Sequence, residues 1–286
     1  KSSLLKTLYG ELPMSKKTKI LLLGDHPMAP SGVGTQLKYV CEALLRTGRY
    51  QFVCLGGAMK HENYDPQNIT GDGWSDEDFR VFPVDGYGTP EMIRSLLWTE
   101  KPDVLMIFTD PRFYTWLWAM EDEIHQICPI AYWHVWDNYP SPDFNSNFYA
   151  STDLINCHSH VTYDIVKEKF PERTNFIPHA LPDELFFKMS DEINVKNKTA
   201  LLGAEHSDSF VLFWVNRNAK RKRPNDVLMS WKLFLDKLTD AQKSKTVLLM
   251  HTDPEDSEGP NLLTTCAKLG ILENVKFSRE RLGFEQ

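Results

Sequence analysis

Apolar residues in this chain fall in short runs separated by turns and amphipathic stretches. Ile20–Leu23 is one such run; it stops at Gly24, and a turn-rich segment through Pro30, Ser31, Gly32, Val33 and Gly34 leads into Thr35–Leu45, which has helical spacing. That order predicts strand, loop, helix. Gln51–Leu55 predicts a second strand closed by Gly56 and Gly57, and the polar stretch Lys60–Asp78 predicts a loop. Arg80–Pro83 is a weak strand, and Thr89 caps a helix reaching Thr99, with Pro90 at its first position. Lys101–Phe108 carries an apolar run without period-two alternation, as expected of a parallel strand covered on both faces. Tyr114–Gln126 predicts an amphipathic helix containing Trp116 and Trp118, and Cys128–Trp133 a strand that ends at His134. Asp153–Asn156 and Asn175–Pro178 predict two short strands flanking a helix over Val161–Lys169.

Between Pro182 and His206 the periodicity fades into polar and charged text, which places a domain boundary there: a first domain over 14–190 and a second over 191–286. The alternation then resumes with a strand at Phe210–Val215, a basic loop, a helix from Pro224 to about Leu238, strands at Thr246–Met250 and Asn274–Phe277, and a helix near Asn261–Leu269. Repeated βα units predict an α/β fold of two doubly wound, Rossmann-like parallel-sheet domains, with ligands beyond the carboxyl ends of the strands. The second domain holds only about two and a half βα units, where a complete one needs on the order of 100 residues. It is expected to be truncated. Residues 1–13 precede Met14 and a charged lead-in, and read as an expression remnant outside the fold.

Composition narrows the partners. A formal charge of -7 and a pI near 5.7 argue against a general nucleic-acid or membrane-surface binder. Five scattered cysteines without a CxxC pair support neither a disulfide framework nor a zinc site and suit a reducing cytoplasm. No apolar stretch approaches the roughly 20 residues that cross a bilayer, so a soluble protein is expected.

Two segments could carry chemistry. Ser31, Gly32, Val33 and Gly34 stand at the mouth of a helix, where close backbone approach and unpaired N–H groups favour a phosphate; a tight turn needing only glycine accounts for the same residues. Asn216–Pro224 places five basic side chains between a strand end and a helix start, where Arg217 and Lys222 could clamp a diphosphate. A solvated basic loop is the competing reading. His134 could lie over a sugar or serve as a structural histidine, Asp137 could cap the turn after it, and Asp25 and His26 could bind hydroxyls or close a turn. His158 and His160 lack a third partner at recognisable ligand spacing, so no metal is expected. Ser31 lacks the strained Gly-x-Ser-x-Gly turn of a serine hydrolase.

Taken together, Pro30–Thr35, the strand ending at His134, Asp153–Ser159, Phe176–Ala180, and Arg217 with Lys222 ahead of Pro224 resemble the retaining GT-B glycosyltransferases of glycosyltransferase family 4, over about Lys19 to Phe277. The aromatic-rich text around His134–Pro140 is also similar to viral or phage members. The resemblance implies two Rossmann-like domains facing a cleft and transfer of a sugar from a nucleotide diphosphate donor to an acceptor hydroxyl, with the anomeric configuration retained. It implies that Gly32–Gly34 approach donor phosphate or acceptor, that His134 contacts the transferred sugar, and that Arg217 and Lys222 neutralise the leaving diphosphate. No metal or other cofactor is implied, because those cations take its role. The acceptor stays open among glycan, lipid, small molecule, protein and modified nucleobase. Two departures stand out: the family's paired glutamates late in the second domain have no counterpart, and Arg223 occupies a position where many members have glycine. The first implies weak nucleotide binding and leaves a non-catalytic nucleotide- or glycan-binding GT-B module as the alternative. A nicotinamide dehydrogenase fits less well, since Gly32 and Gly34 lack the third glycine and no acidic residue follows Leu55.

Overall fold

The computed structural model describes residues 16–136 and 143–278. The leader 1–13, Asp137 and residues 279–286 lie outside them. The chain divides into two compact units that part between Leu185 and Phe186.

The first unit is built on an eight-stranded sheet in the order β3-β4-β2-β1-β5-β6-β7-β8. Its strands are β1 (Thr18–Asp25), β2 (Tyr50–Gly57), β3 (Gln67–Asn68), β4 (Phe79–Pro83), β5 (Val104–Thr109), β6 (Ile130–His134), β7 (Leu154–Cys157) and β8 (Thr174–Phe176). All neighbours pair in parallel except β3, which runs antiparallel to β4. The helices are α1 (Gly32–Leu45), α2 (Pro90–Glu100), the short α3 (Thr115–Trp118), α4 (Glu121–His125) and α5 (Ser146–Ala150), and α6 (His160–Lys169).

Side chains alternate across a strand, so one buried strand feeds two cores. Leu21 and Leu23 of β1 join Val53, Leu105, Ile107 and the α2 residues Ile93 and Leu97 on one face. Ile20 and Leu22 join Phe52, Met106, Phe108 and the α1 residues Leu37 and Cys41 on the other. This division explains why β1 and β5 read as unbroken apolar runs. The chain winds from β1 outward to β2 and β4, then returns to lay β5 on the opposite side of β1. The reversal places a topological switch point at the carboxyl ends of β1 and β5, the position where open α/β sheets bind ligands.

The second unit contains α7 (Asp191–Leu202), β9 (Phe210–Val215), α8 (Pro224–Leu235), α9 (Asp240–Lys243), β10 (Thr246–His251), α10 (Leu262–Leu269) and β11 (Val275–Ser278). Its parallel sheet has three strands in the order β11-β10-β9. Leu228 and Trp231 of α8 and Leu262 and Cys266 of α10 pack with Leu248, Met250 and Val275 on one face. On the other, Leu202 of α7 meets Val247 and Leu249. β9 is apolar throughout, as in a strand buried on both faces, yet it lies at the sheet edge with Phe210, Leu212, Phe213 and Val215 exposed. A largely apolar cavity of about 430 Å³ beside it is lined by Phe210, Leu212, Val227, Trp231 and Phe234, with Asp226 and Ser230 as its polar members.

Three local expectations change. α1 begins at Gly32 rather than Thr35, so the glycines belong to its first turn. The single helix expected over Tyr114–Gln126 is a 3-10 turn at Pro111–Tyr114 followed by α3 and α4. Trp118 and Met120 stand two residues apart, which an unbroken helix would turn to opposite sides; the break lets both bury in the same core. Finally, α7 occupies text in which no periodicity was expected. Ser190 caps it by accepting from the Ile193 N–H, and Asp191 and Glu192 fill its first turn.

Candidate functional site

Each unit brings candidate residues to the carboxyl ends of its own strands. In the first unit β1 delivers Asp25, which is buried. Its carboxylate accepts from the Ser31 hydroxyl at 2.6 Å and from the Tyr87 hydroxyl at 3.1 Å. Ser31 Oγ also caps α1 by accepting from the Gly34 N–H at 3.0 Å. His26 is buried and accepts at Nδ1 from the Met28 N–H, while burial, assisted by nearby His61, lowers its pKa to about 4. It is therefore neutral near pH 7.

The two glycines do different work. A Cβ on Gly34 would lie 2.7 Å from the His26 carbonyl oxygen and 2.9 Å from that of Ala29, whereas a Cβ on Gly32 would meet no atom within 4 Å. Gly34 thus packs helix against loop, and Gly32 lines open space. Among the described residues the N–H groups of Gly32 and Val33 have no protein acceptor, while those of Gly34 and Thr35 are taken by Ser31. Two free N–H groups at the positive end of a 14-residue helix favour an anion.

The neighbouring strand ends add a ring-lined wall. His134 ends β6 fully buried, with Tyr132 Oη at 2.9 Å from Nδ1 and Tyr149 Oη at 2.8 Å from Nε2. Burial first, and the nearby His158 second, lower its pKa to about 3, so the ring is neutral. A sugar contact by this imidazole, as the resemblance implies, would require one tyrosine to surrender its hydrogen bond. The His134 carbonyl instead accepts from His158 Nδ1 at 2.9 Å. His158 stacks on His179 with ring centroids 4.9 Å apart, and His179 stacks in turn on Phe108. Gln36 of α1 fastens this segment by a reciprocal pair of hydrogen bonds with the Ala180 backbone, at 2.8 and 3.2 Å. Beyond β5, burial pushes the Asp110 carboxyl up, but the bidentate Arg112 guanidinium more than offsets it and the net direction is down. Tyr87, Gln36 and His179 were not singled out individually from the sequence, and His158 was weighed there only as a metal ligand. Motif text around His158 and His179 was their only signal, and nothing local marked Gln36.

In the second unit β9 ends at Val215 and the basic turn follows. Arg217 donates from Nε and Nη2 to the two carboxylate oxygens of Asp256, at 2.8 and 3.2 Å. Lys222 lies in a 3-10 turn, Lys220–Lys222, and its ammonium has no partner among the described residues. Arg223 takes a left-handed conformation (φ 51°) just before Pro224 and pairs with Asp226. Glycine would adopt that conformation at no steric cost, so Arg223 holds a backbone geometry that glycine would take more readily, and the structure gives no reason for the arginine.

The turn is anchored rather than loose. Buried Asn218 donates from Nδ2 to the Pro260 carbonyl at 2.9 Å, and the Lys220 N–H donates to the Glu258 carbonyl at 3.2 Å. Gly259 permits this, since any Cβ there would lie 2.1 Å from Asn218 Oδ1. The loops leaving β9 and β10 are therefore clipped together at the carboxyl edge of the sheet. No group of three or more His, Cys, Asp or Glu residues among those described could hold a metal ion.

No family model and no curated protein sequence matches this chain. Solved structures do. The chain is similar to the α,α-trehalose 6-phosphate synthase of Burkholderia multivorans, with TM-score 0.60, 10% identity, and coverage of 94% of this chain and 74% of that one. It is similar to the catalytic domain of starch synthase IV from Arabidopsis thaliana bound to ADP and acarbose, with TM-score 0.60, 11% identity, and coverage of 94% and 75%. A UDP-N-acetylglucosamine 2-epimerase from Rickettsia bellii matches with TM-score 0.54, 13% identity, and coverage of 94% and 70%. The chain has the α/β fold of GT-B glycosyltransferases, and it spans about three quarters of the length of the two synthase structures. Identities this low define the fold and leave the chemistry to the residues.

Proposed function

We propose that this protein is a glycosyltransferase of the retaining, family 4 type, which moves a sugar from a nucleotide diphosphate donor to an acceptor hydroxyl. The observation that carries the reading is the anchored basic turn at the carboxyl end of β9, with Arg217 and Lys222 on a scaffold shared with nucleotide-sugar enzymes. As the bond from the sugar's anomeric carbon to phosphate breaks, negative charge grows on the departing diphosphate. Fixed cations aimed there stabilise the transition state more than the ground state. The acceptor oxygen bonds to the same face of the anomeric carbon and passes its proton to a phosphate oxygen. Arg217 and Lys222 do the work a divalent ion would otherwise do, so no metal is required.

In the first unit, the free Gly32 and Val33 N–H groups are suited to an anionic group of donor or acceptor. His134 acts through its tyrosine partners and its carbonyl, orienting His158, and the stacked His158–His179 pair offers a ring surface suited to a bound sugar. The acceptor's class is left to experiment. Five free, buried cysteines suit a cytoplasmic setting, and among the described residues no helix is long and apolar enough to cross a membrane.

The test is a panel of nucleotide sugars incubated with the full chain, followed by proton NMR of the released sugar. Turnover with the donor's anomeric configuration preserved, lost in the Arg217→Ala, Lys222→Ala double variant, is expected. Nucleotide binding without sugar release from any donor would favour the non-catalytic module.

A further inference from the structure

We infer that Asp256 is a positioning residue for Arg217: it holds the guanidinium by one edge so that the opposite edge faces a diphosphate. The inference rests on the reading of the basic turn given above and assigns that site an additional, acidic member.

Guanidinium carries five N–H donors in a rigid planar fork. Asp256 takes the Nε–Nη2 edge in a side-on pair at 2.8 and 3.2 Å. One N–H of Nη1 and the second N–H of Nη2 form the free two-donor edge, the other Nη1 N–H points aside, and Nη1 has no partner among the described residues. That edge matches the bidentate spacing of phosphate oxygens. An ion pair whose arginine is this exposed adds little to stability, because solvent screens it. Its consequence is orientation.

The carboxylate is itself held. Asp256 Oδ1 accepts from the Glu258 N–H at 3.0 Å, and the Asp256 carbonyl accepts from the Gly259 N–H at 3.0 Å. The same loop receives the Lys220 N–H at Glu258 and the Asn218 side chain at Pro260. A rigid loop from β10 therefore fixes an arginine from β9, and a lysine would fail there, since a point charge cannot be gripped by one edge and presented by another.

A different role for an acidic partner is to quench the arginine's charge, and the two roles predict opposite signs. Removing a quenching carboxylate tightens anion binding; removing a positioning carboxylate weakens it, although the site becomes more positive. The experiment titrates inorganic pyrophosphate into the full chain by calorimetry, for wild type, Arg217→Ala, Asp256→Asn, Asp256→Glu and the double variant Arg217→Ala, Asp256→Asn. Thermal melts check that each is folded. Asp256→Asn retains an oxygen for the Glu258 N–H. Asp256→Glu keeps the charge and displaces it by one methylene.

Positioning predicts that Asp256→Asn weakens pyrophosphate about 5- to 20-fold, that Asp256→Glu also weakens it, and that Asp256→Asn adds nothing once Arg217 is alanine. Unchanged or tighter binding by Asp256→Asn, or wild-type affinity in Asp256→Glu, overturns the inference alone. No pyrophosphate binding by the wild type, or full binding by Arg217→Ala, overturns the reading of the basic turn and the inference with it.

Discussion

Gly32 and Gly34 stand two residues apart in the first turn of α1, and replacing each by alanine should move stability in opposite directions. A Cβ at position 34 meets two carbonyl oxygens, His26 at 2.7 Å and Ala29 at 2.9 Å, and the Ala29 Cβ at 3.2 Å. Backbone oxygens cannot rotate aside, so the His26–Ser31 loop must move while it is tied by the Ala29 N–H to the His26 carbonyl. Overpacking of this kind costs about 1–3 kcal/mol. At position 32 no atom lies within 4 Å and φ is not positive, so alanine fits without strain. It should stabilise by about 0.4–1 kcal/mol by restricting the unfolded chain. The variants should therefore differ by about 1.5–4 kcal/mol, or several degrees in melting temperature for a unit of this size. Because the two units need not unfold together, hydrogen exchange in β1 and α1 should accompany the melts. The functional effects should cross over: Gly32→Ala narrows access to the free N–H groups and weakens anion binding although the fold gains. Equal destabilisation by both variants would refute the division between a packing glycine and a ligand-facing one.

Leu23 is fully buried at the centre of β1, and Leu23→Ala should cost about 2–5 kcal/mol in chemical denaturation, more than any exposed substitution in the same unit. Acid should unfold the first unit through its buried histidines. Unfolding frees His134 to take a proton near pH 6.5, which the folded chain refuses until about pH 3. Its contribution is therefore intact above pH 6.5 and lost as the pH falls toward 3, at up to about 1.4 kcal/mol per pH unit. His26, lowered to about 4, adds in the same direction, and His134→Gln should flatten the slope measured by pH-dependent denaturation. The apolar edge of β9 should promote self-association; Phe213→Lys should reduce it in light scattering while changing the melting temperature little, since Phe213 is 59% exposed.

Much of this scaffold was legible because its signals are local. The buried runs of β1 and β5, the cap at Thr89 and the basic turn before Pro224 each declare themselves within a few residues. The glycines of the first loop were visible, but their separate duties were not: Gly34 answers to oxygens of the preceding loop, and only coordinates reveal that Gly32 is open. α7 was missed because Ile193, Val195 and Leu201 form no stripe and stay exposed, although its Ser190 cap was written in the text. The second-unit site lost its acidic member for a similar reason. Asp256 lies far along the chain from Arg217, and no spacing rule links a residue after β10 to one after β9. Gln36 and Ala180, which tie α1 to the segment after β8, are more distant still.

The most direct measurement is phosphorus NMR of a nucleoside diphosphate titrated into the full chain and into the Arg217→Ala, Lys222→Ala variant. A grip on the diphosphate by the basic turn predicts shifted and broadened α- and β-phosphorus signals with the wild type, and signals close to those of free nucleotide with the variant. Identical spectra for the two proteins would contradict the account, because the phosphates would then be held elsewhere or not at all.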